Sequence, residues 1–198
     1  MTQQGKNAID LVLAESLIEL SAKKPIDKIT IKEITDKAGV IRPTFYNHFQ
    51  DKYDLLEWII DKELLEPVEP LIQNGMIKPL LNAGMIFEAI VLMLNNISAN
   101  SVFYKKALKL EGAVTFNQIA MKCVCEMFMN IISEKSTGKK SKYRWLTPEV
   151  ISTYYAQSLC FITEGWIAQG MDDIEPKEMA EAYMYLITRS MDDILSEL

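Results

Sequence analysis

Apolar residues recur at spacings of three and four along nearly the whole chain, and no run alternates with period two between turn residues. This pattern admits helices and excludes a sheet-based architecture. Ile9, Val12, Leu13, Leu17 and Leu20 mark a first amphipathic helix over residues 6–22. Pro25 ends it, because proline has no N–H for a helix interior. Thr30 then opens a second helix as TIKE, a capping box in which Thr30 accepts from the Glu33 amide and Glu33 reaches back. Ile31, Ile34 and Ala38 form its short buried stripe. Gly39 follows where a left-handed conformation costs little.

A third helix fits from Ile41 or Arg42 to His48, with Pro43 in its first turn and Phe45 and Phe49 facing the core. Asp51 caps a fourth that runs through Leu55, Leu56, Ile59 and Ile60 to about Leu65. Pro67, Pro70, Gly75 and Pro79 then interrupt the chain and set a boundary between a module of residues 1–65 and one of residues 66–198. Further helices are expected at 83–98, 101–111, 114–136, 148–169 and 176–196, about nine in all, with STGKKSKYR at 136–144 as a loop. The expected fold class is all-α.

Charge divides along the same boundary. The chain of 198 residues carries a net charge of −6, yet residues 23–52 hold seven Lys and Arg against four Asp and Glu. One locally basic module therefore sits on an acidic body. The N-terminal MTQQGKNAIDLVLAES lacks a basic stretch followed by a long apolar one, and no apolar run approaches the roughly 20 residues of a bilayer span. Three cysteines make no secreted disulfide framework, and Cys123 and Cys125 lie about 200° apart around a helix. A cytoplasmic protein without a membrane partner is expected.

Catalysis finds no support. There is no Gly-rich phosphate loop, no HExxH, no CxxC and no nucleophile elbow. The single histidine, His48, cannot build a multi-histidine metal site. The expectation is a non-enzyme with no cofactor, no metal and no catalytic residue.

The remaining signal is a helix, a Gly turn and a short helix over residues 30–49, which suits a helix-turn-helix. With Phe45 and Phe49 inside, Arg42, Thr44, Tyr46, Asn47 and His48 are left outward or sideways. They offer the hydrogen-bond donors that base edges and phosphates require. Lys52, in the first turn of the fourth helix, can add its charge to the N-terminal amides to hold a phosphate. The same pattern also suits a short capped helix with ordinary polar surface.

AGVIRPTFYNHFQDKYDLL, residues 38–56, resembles the recognition-helix signature of the TetR/AcrR family of bacterial transcriptional regulators. Ala38, Gly39, Val40, Arg42, Thr44, Phe45, Tyr46, His48, Phe49, Lys52, Leu55 and Leu56 match, and TIKEITDKAG matches the preceding helix. Ile41 stands where the family usually has Ser or Thr, and Pro43 where Gly or Ala is common. TFYNHFQDKYDLLEWII also resembles a subgroup of regulators of dihydroxyacetone kinase operons, some of which act as activators through a partner protein.

The resemblance implies an N-terminal three-helix DNA-binding domain on a C-terminal helical domain for ligand binding and dimerisation. It implies phosphate contacts from Thr30, Thr44, Tyr46, Asn47, His48 and Lys52. Arg42, Pro43 and Thr44 would approach base edges, and Ile41 would offer an apolar contact to a thymine methyl. The implied partners are double-stranded palindromic operator DNA, an unidentified small-molecule effector and a second copy of the chain, in a bacterial, nucleoid-associated setting.

Dimerisation through the last two long helices would use Tyr155, Leu159, Ile162 and Trp166 with Met179, Tyr183 and Leu186. The same stripes also suit packing within one subunit. An effector pocket would lie among the helices of 83–136, where Phe87, Met93, Phe103, Tyr104, Phe116, Met121, Met127, Phe128 and Met129 suit either a lining or a core. The function expected is a repressor released by a small molecule. The alternative is a helical co-regulator or interaction subunit with weak or no specific DNA binding.

Overall fold

A computed structural model describes residues 3–71, 83–135 and 142–197. Among these residues every regular element is helical. Gly75, Pro79 and most of the expected loop at 136–144 fall outside them.

Helix α1 spans Gln3–Ser21 and buries Leu13, Ala14 and Leu17. A single 3-10 turn, Ile26–Lys28, follows Pro25. Helix α2, Ile31–Ala38, opens on the capping box the sequence spells. The Glu33 amide donates to Thr30 Oγ1 at 3.3 Å, and the Thr30 amide donates to Glu33 Oε2 at 2.9 Å. Gly39 closes it at φ 68°, ψ 26°, the left-handed region open to glycine at little cost. Helix α3 is short, Arg42–Tyr46, with Pro43 in its first turn and no side-chain cap from Ile41. Helix α4, Lys52–Ile60, starts at Asp51, whose carboxylate accepts from the Tyr53 and Asp54 amides at 2.7 and 3.0 Å.

These four helices share one core. Leu13, Leu17, Ile34, Phe45, Leu55, Leu56 and Ile59 are fully buried. Phe49 stacks between Phe45 at 5.9 Å and Trp58 at 6.2 Å. Burial of each large apolar side chain stabilises the module by about 1.5–3 kcal/mol.

Helix α4 does not stop at the module. It runs on through a π turn, Asp61–Leu65, in which the Glu66 amide donates to Asp61 O at 2.7 Å. The wider turn leaves Glu63 facing the next helices. Asn100 Nδ2 and Tyr104 Oη donate to Glu63 Oε2 at 3.1 and 3.0 Å, and Asn96 Nδ2 donates to the Glu63 carbonyl at 2.7 Å.

The second body holds α5 (Ala83–Ala99), α6 (Ser101–Ala107), α7 (Phe116–Lys135), α8 (Pro148–Ala168), α9 (Pro176–Thr188) and α10 (Met191–Glu197). Helices α5 and α6 meet at 89°. No single described helix is long and apolar enough to cross a membrane. Helices α7 and α8 pack along their lengths, and α5 lies against α9. Lys122 of α7 pairs with Glu57 of α4 at 2.7 Å, one tie between the two bodies.

The expected helix at 101–111 ends early, before the turn at Gly112, where φ is 138°. The expected helix at 176–196 is two helices. Arg189 adopts an extended conformation, and Ser190 caps α10 by accepting from the Asp193 amide at 3.2 Å. Ten α-helices are therefore delimited among the described residues where about nine were expected. The Ser-Met-Asp-Asp at 190–193 carries the capping signature that marks the break.

A candidate nucleic-acid interface

The cap geometry of α2 and the left-handed turn at Gly39 set how the chain enters α3. Phe45 is its anchor, with no exposed surface. Around that anchor Ile41, Arg42, Pro43, Tyr46 and Asn47 are exposed, and Thr44 is half-buried. Arg42 Nη2 donates to Tyr46 Oη at 3.1 Å and lies 5.6 Å from that ring's centre, so the guanidinium is braced across one turn. It has no carboxylate partner among the described residues. Its remaining N–H groups can meet the two acceptors of a guanine edge or a phosphate. Tyr46 is 48% exposed and keeps its phenol at the surface beside it.

Two residues expected on this face are held elsewhere. The His48 side chain is only 1% exposed, and its Nδ1 lies 2.6 Å from Asp10 Oδ1 on α1. A carboxylate only accepts, which puts the shared proton on Nδ1. His48 is therefore a clasp between α1 and the end of the α3 turn rather than a surface donor. The amides of His48 and Phe49 both bond to Phe45 O, at 2.9 and 2.8 Å, which turns the ring inward. Asp10 is the residue that sequence reasoning missed. It lies on the buried stripe of α1, three and four residues before Leu13 and Ala14, and an acid on an apolar stripe is the available signal.

Lys52 is likewise engaged. Its Nζ donates to the carbonyls of Ile26, Asp27 and Ile29 at 3.0, 2.7 and 3.1 Å. Those carbonyls belong to the 3-10 turn and to Ile29, which caps it, and the ammonium ties them together, the Ile26 carbonyl also accepting from the Ile29 amide at 3.1 Å. Burial pushes the Lys52 ammonium below its ordinary pKa. Its three hydrogen bonds point into the protein, not toward a phosphate.

Thr30 stays exposed but is committed to its cap. Its hydroxyl donates to Glu33 Oε2 at 2.8 Å. Lys24 clamps the same carboxylate from the other side, at 2.6 and 2.8 Å, and holds Glu33 down to about 2.

The residues expected at a dimer interface divide. Trp166 is 2% exposed and its Nε1 donates to Ile174 O at 2.9 Å, so it is core and unavailable to a partner. Leu159 and Tyr183 are also buried, and the Tyr183 hydroxyl lies 3.1 Å from Ser158 Oγ. Ile162 and Met179 are half-buried against the core, whereas Tyr155 and Leu186 remain partly exposed. The outer face of α8 instead presents Tyr154 and Phe161, seven residues apart and 64% and 75% exposed. A stripe at helical spacing fixes which residues align, not which of them face inward within the chain.

A cavity of about 400 Å³ opens between α5, α7, α8 and α9. Met93, Met127 and Phe128 line it, as does Tyr155 with Leu159 and Tyr183. The expected pocket therefore takes in α8 and α9 as well as the helices of 83–136. Phe103, Tyr104 and Phe116 are buried in the core instead, and Tyr104 and Phe116 border a smaller cavity of about 50 Å³. The three cysteines are free. No group of three or more metal-binding side chains comes together among the described residues.

Comparison with known proteins agrees with this architecture. The sequence model described as bacterial regulatory proteins, tetR family, matches residues 15–59. A second, described as a transcriptional regulator C-terminal region of the TetR class, matches residues 85–189, more than half of the chain. The HTH-type dhaKLM operon transcriptional activator DhaS of Lactococcus lactis is 25% identical over 165 residues, covering 80% of this chain and 79% of that protein. The solved structure of a dihydroxyacetone kinase operon activator DhaS superposes with a TM-score of 0.54 at 20% identity, over 96% of this chain and 95% of the other. NalD of Pseudomonas aeruginosa, the secondary repressor of the MexAB-OprM multidrug efflux pump, gives 0.59 at 14% identity, over 93% and 96%. With a capped helix-turn-helix at one end, an all-helical body behind it and both sequence models matched, the chain belongs to the TetR family of transcriptional regulators.

Proposed function

We propose that this chain is a homodimeric regulator that reads a palindromic operator with α3 and changes its affinity for DNA when a small molecule enters the cavity of the C-terminal body. The observation that carries the reading is the arrangement of α3. Phe45 anchors it, while Arg42, Pro43, Tyr46 and Asn47 stand exposed around one short helix, with Arg42 braced and without a carboxylate partner among the described residues. Residues 1–65 are the reading module and residues 66–198 the ligand and dimer module. Arg42, Pro43 and Thr44 approach base edges, Ile41 meets a thymine methyl, and Tyr46 and Asn47 hold phosphates, while Thr30 keeps both its donors on Glu33. The exposed Tyr154, Phe161 and Leu186 are the dimer surface. The protein works in the bacterial cytoplasm, where its DNA is.

Repression relieved by ligand is the leading mode. Ligand entry shifts the population toward a dimer whose two α3 helices no longer match one palindrome. The similarity to DhaS, named an activator of the dhaKLM operon, favours activation as the second mode. A selection of binding sites from random duplex DNA tests the proposal. It should return an inverted repeat with half-sites roughly 34–36 Å apart along the duplex. A pool with no enriched sequence overturns specific reading and favours the co-regulator alternative.

A further inference from the structure

We infer that the cavity between α5, α7, α8 and α9 takes an uncharged, mainly hydrocarbon molecule that carries one hydrogen-bond acceptor directed at the Tyr155 hydroxyl. This inference rests on reading the cavity as the effector site and names the chemistry of what fills it.

The volume of about 400 Å³ lies in the roughly 300–1,000 Å³ range of pockets that enclose small organic ligands. Its described walls are side chains of Ile, Met, Leu, Val, Ala and Phe, joined by Tyr155, Tyr183 and Thr188. No Lys, Arg, His, Asp or Glu is among the described lining residues. An ionised ligand group placed there would lose its water and find no counter-charge, a cost of several kcal/mol. An apolar body gains instead, by about 25 cal/mol for each Å² removed from water.

Three lining residues bring hydroxyls, and they differ in what they have left to give. The Thr188 hydroxyl donates to Met184 O at 2.6 Å, and the Tyr183 hydroxyl is paired with Ser158 at 3.1 Å. Tyr155 makes ring contacts, with Phe128 at 6.0 Å and Tyr154 at 5.3 Å, but its hydroxyl has no hydrogen-bond partner among the described residues. Tyr155 is 37% exposed, and its hydroxyl is the lining hydroxyl that no protein acceptor among the described residues holds. Met93, Met127 and Met184 supply flexible, polarisable surface that can follow the shape of the body. A carbonyl, ether or hydroxyl oxygen on such a body is what this wall accommodates.

Three probes test it: 1-decanol, sodium decanoate and butylbenzene, titrated against the full chain with thermal unfolding and calorimetry as readouts. Decanol should bind at least about 10-fold more tightly than decanoate at neutral pH. Tyr155→Phe should weaken decanol by roughly 2- to 10-fold and leave butylbenzene unchanged. Ala89→Phe or Ile187→Phe should abolish binding of both neutral probes, with retained DNA affinity as the control for folding. Decanoate binding as well as decanol overturns the ligand class while leaving the cavity as a binding site. Failure of all three probes to bind overturns the cavity as an effector site. Binding that survives both filling variants puts the probe elsewhere and overturns the inference as well.

Discussion

His48 Nδ1 and Asp10 Oδ1 lie 2.6 Å apart across the seam between α1 and the end of the α3 turn, with the imidazole 1% exposed. The pair fixes the far end of the recognition helix from inside. His48→Ala leaves a buried carboxylate without its donor and is expected to cost about 3–5 kcal/mol. In urea unfolding the single variants and the Asp10→Ala, His48→Ala double variant should be non-additive, with a coupling of about 0.5–3 kcal/mol. Additive losses would show that the two side chains do not act as a pair.

Arg42, proposed to read a base edge, and Lys52, bonded to three backbone carbonyls, should respond differently to mutation. Arg42→Ala should leave the unfolding midpoint in place and cost about 1–3 kcal/mol of discrimination at one operator position. Lys52→Met removes three hydrogen bonds to the carbonyls of the 3-10 turn, so it should lower stability by about 1–3 kcal/mol. Its salt slope for DNA binding should match that of the wild type. A slope reduced by about one unit would restore Lys52 to a phosphate.

Glu63 makes stability depend on pH. Burial raises its carboxyl pKa above the ordinary 4.5, with Tyr104 and Asn100 opposing as hydrogen-bond donors. Between the ordinary value and the raised one, the folded chain binds more protons than the unfolded chain. The stability it contributes is fully present below the ordinary value and is lost as pH rises through the raised one. Asp61 adds the same sign, raised by burial and by Glu126 and Glu57. Glu63→Gln offers Tyr104 and Asn100 the same acceptor without the charge. It should therefore be more stable than the wild type at pH 7 and show a flatter loss of stability above pH 4.5, as read by urea midpoints across pH. An unchanged slope would contradict this role.

Phe161 and Trp166 share a helix and differ in fate. Phe161→Arg, at a 75% exposed position, should leave helicity unchanged and convert the proposed dimer to monomer in sedimentation. Trp166→Ala, in the core, should cost about 3–5 kcal/mol without a specific effect on assembly. A Phe161→Arg protein that stays dimeric would move the interface off this face.

Local signals carried most of the fold into view. The capping box at Thr30 and Glu33, Gly39 after α2, Pro43 in α3 and Asp51 before α4 are each a short-range rule, and each appears in the structure as the sequence spells it. Side-chain destinations were less legible. His48 and Lys52 stand in the chain exactly as surface donors would, and their partners, Asp10 and the carbonyls of residues 26–29, lie 38 and 23–26 residues away. Helical spacing groups Tyr155, Leu159, Ile162 and Trp166 as one stripe, but which residues of α8 turn inward is decided by the helices packed on it, α6, α7 and α9. The π turn at Asp61–Leu65 has no signature in the sequence, because its residues suit an ordinary helix equally well.

Sequence-specific reading by α3 is measured by fluorescence anisotropy of the purified protein on its own upstream intergenic DNA and on a scrambled duplex, at two salt concentrations. Binding to the specific duplex should be at least about 10³-fold tighter than to the scrambled one, with both affinities falling as salt rises. Equal affinity for the two duplexes at both salt concentrations would contradict it.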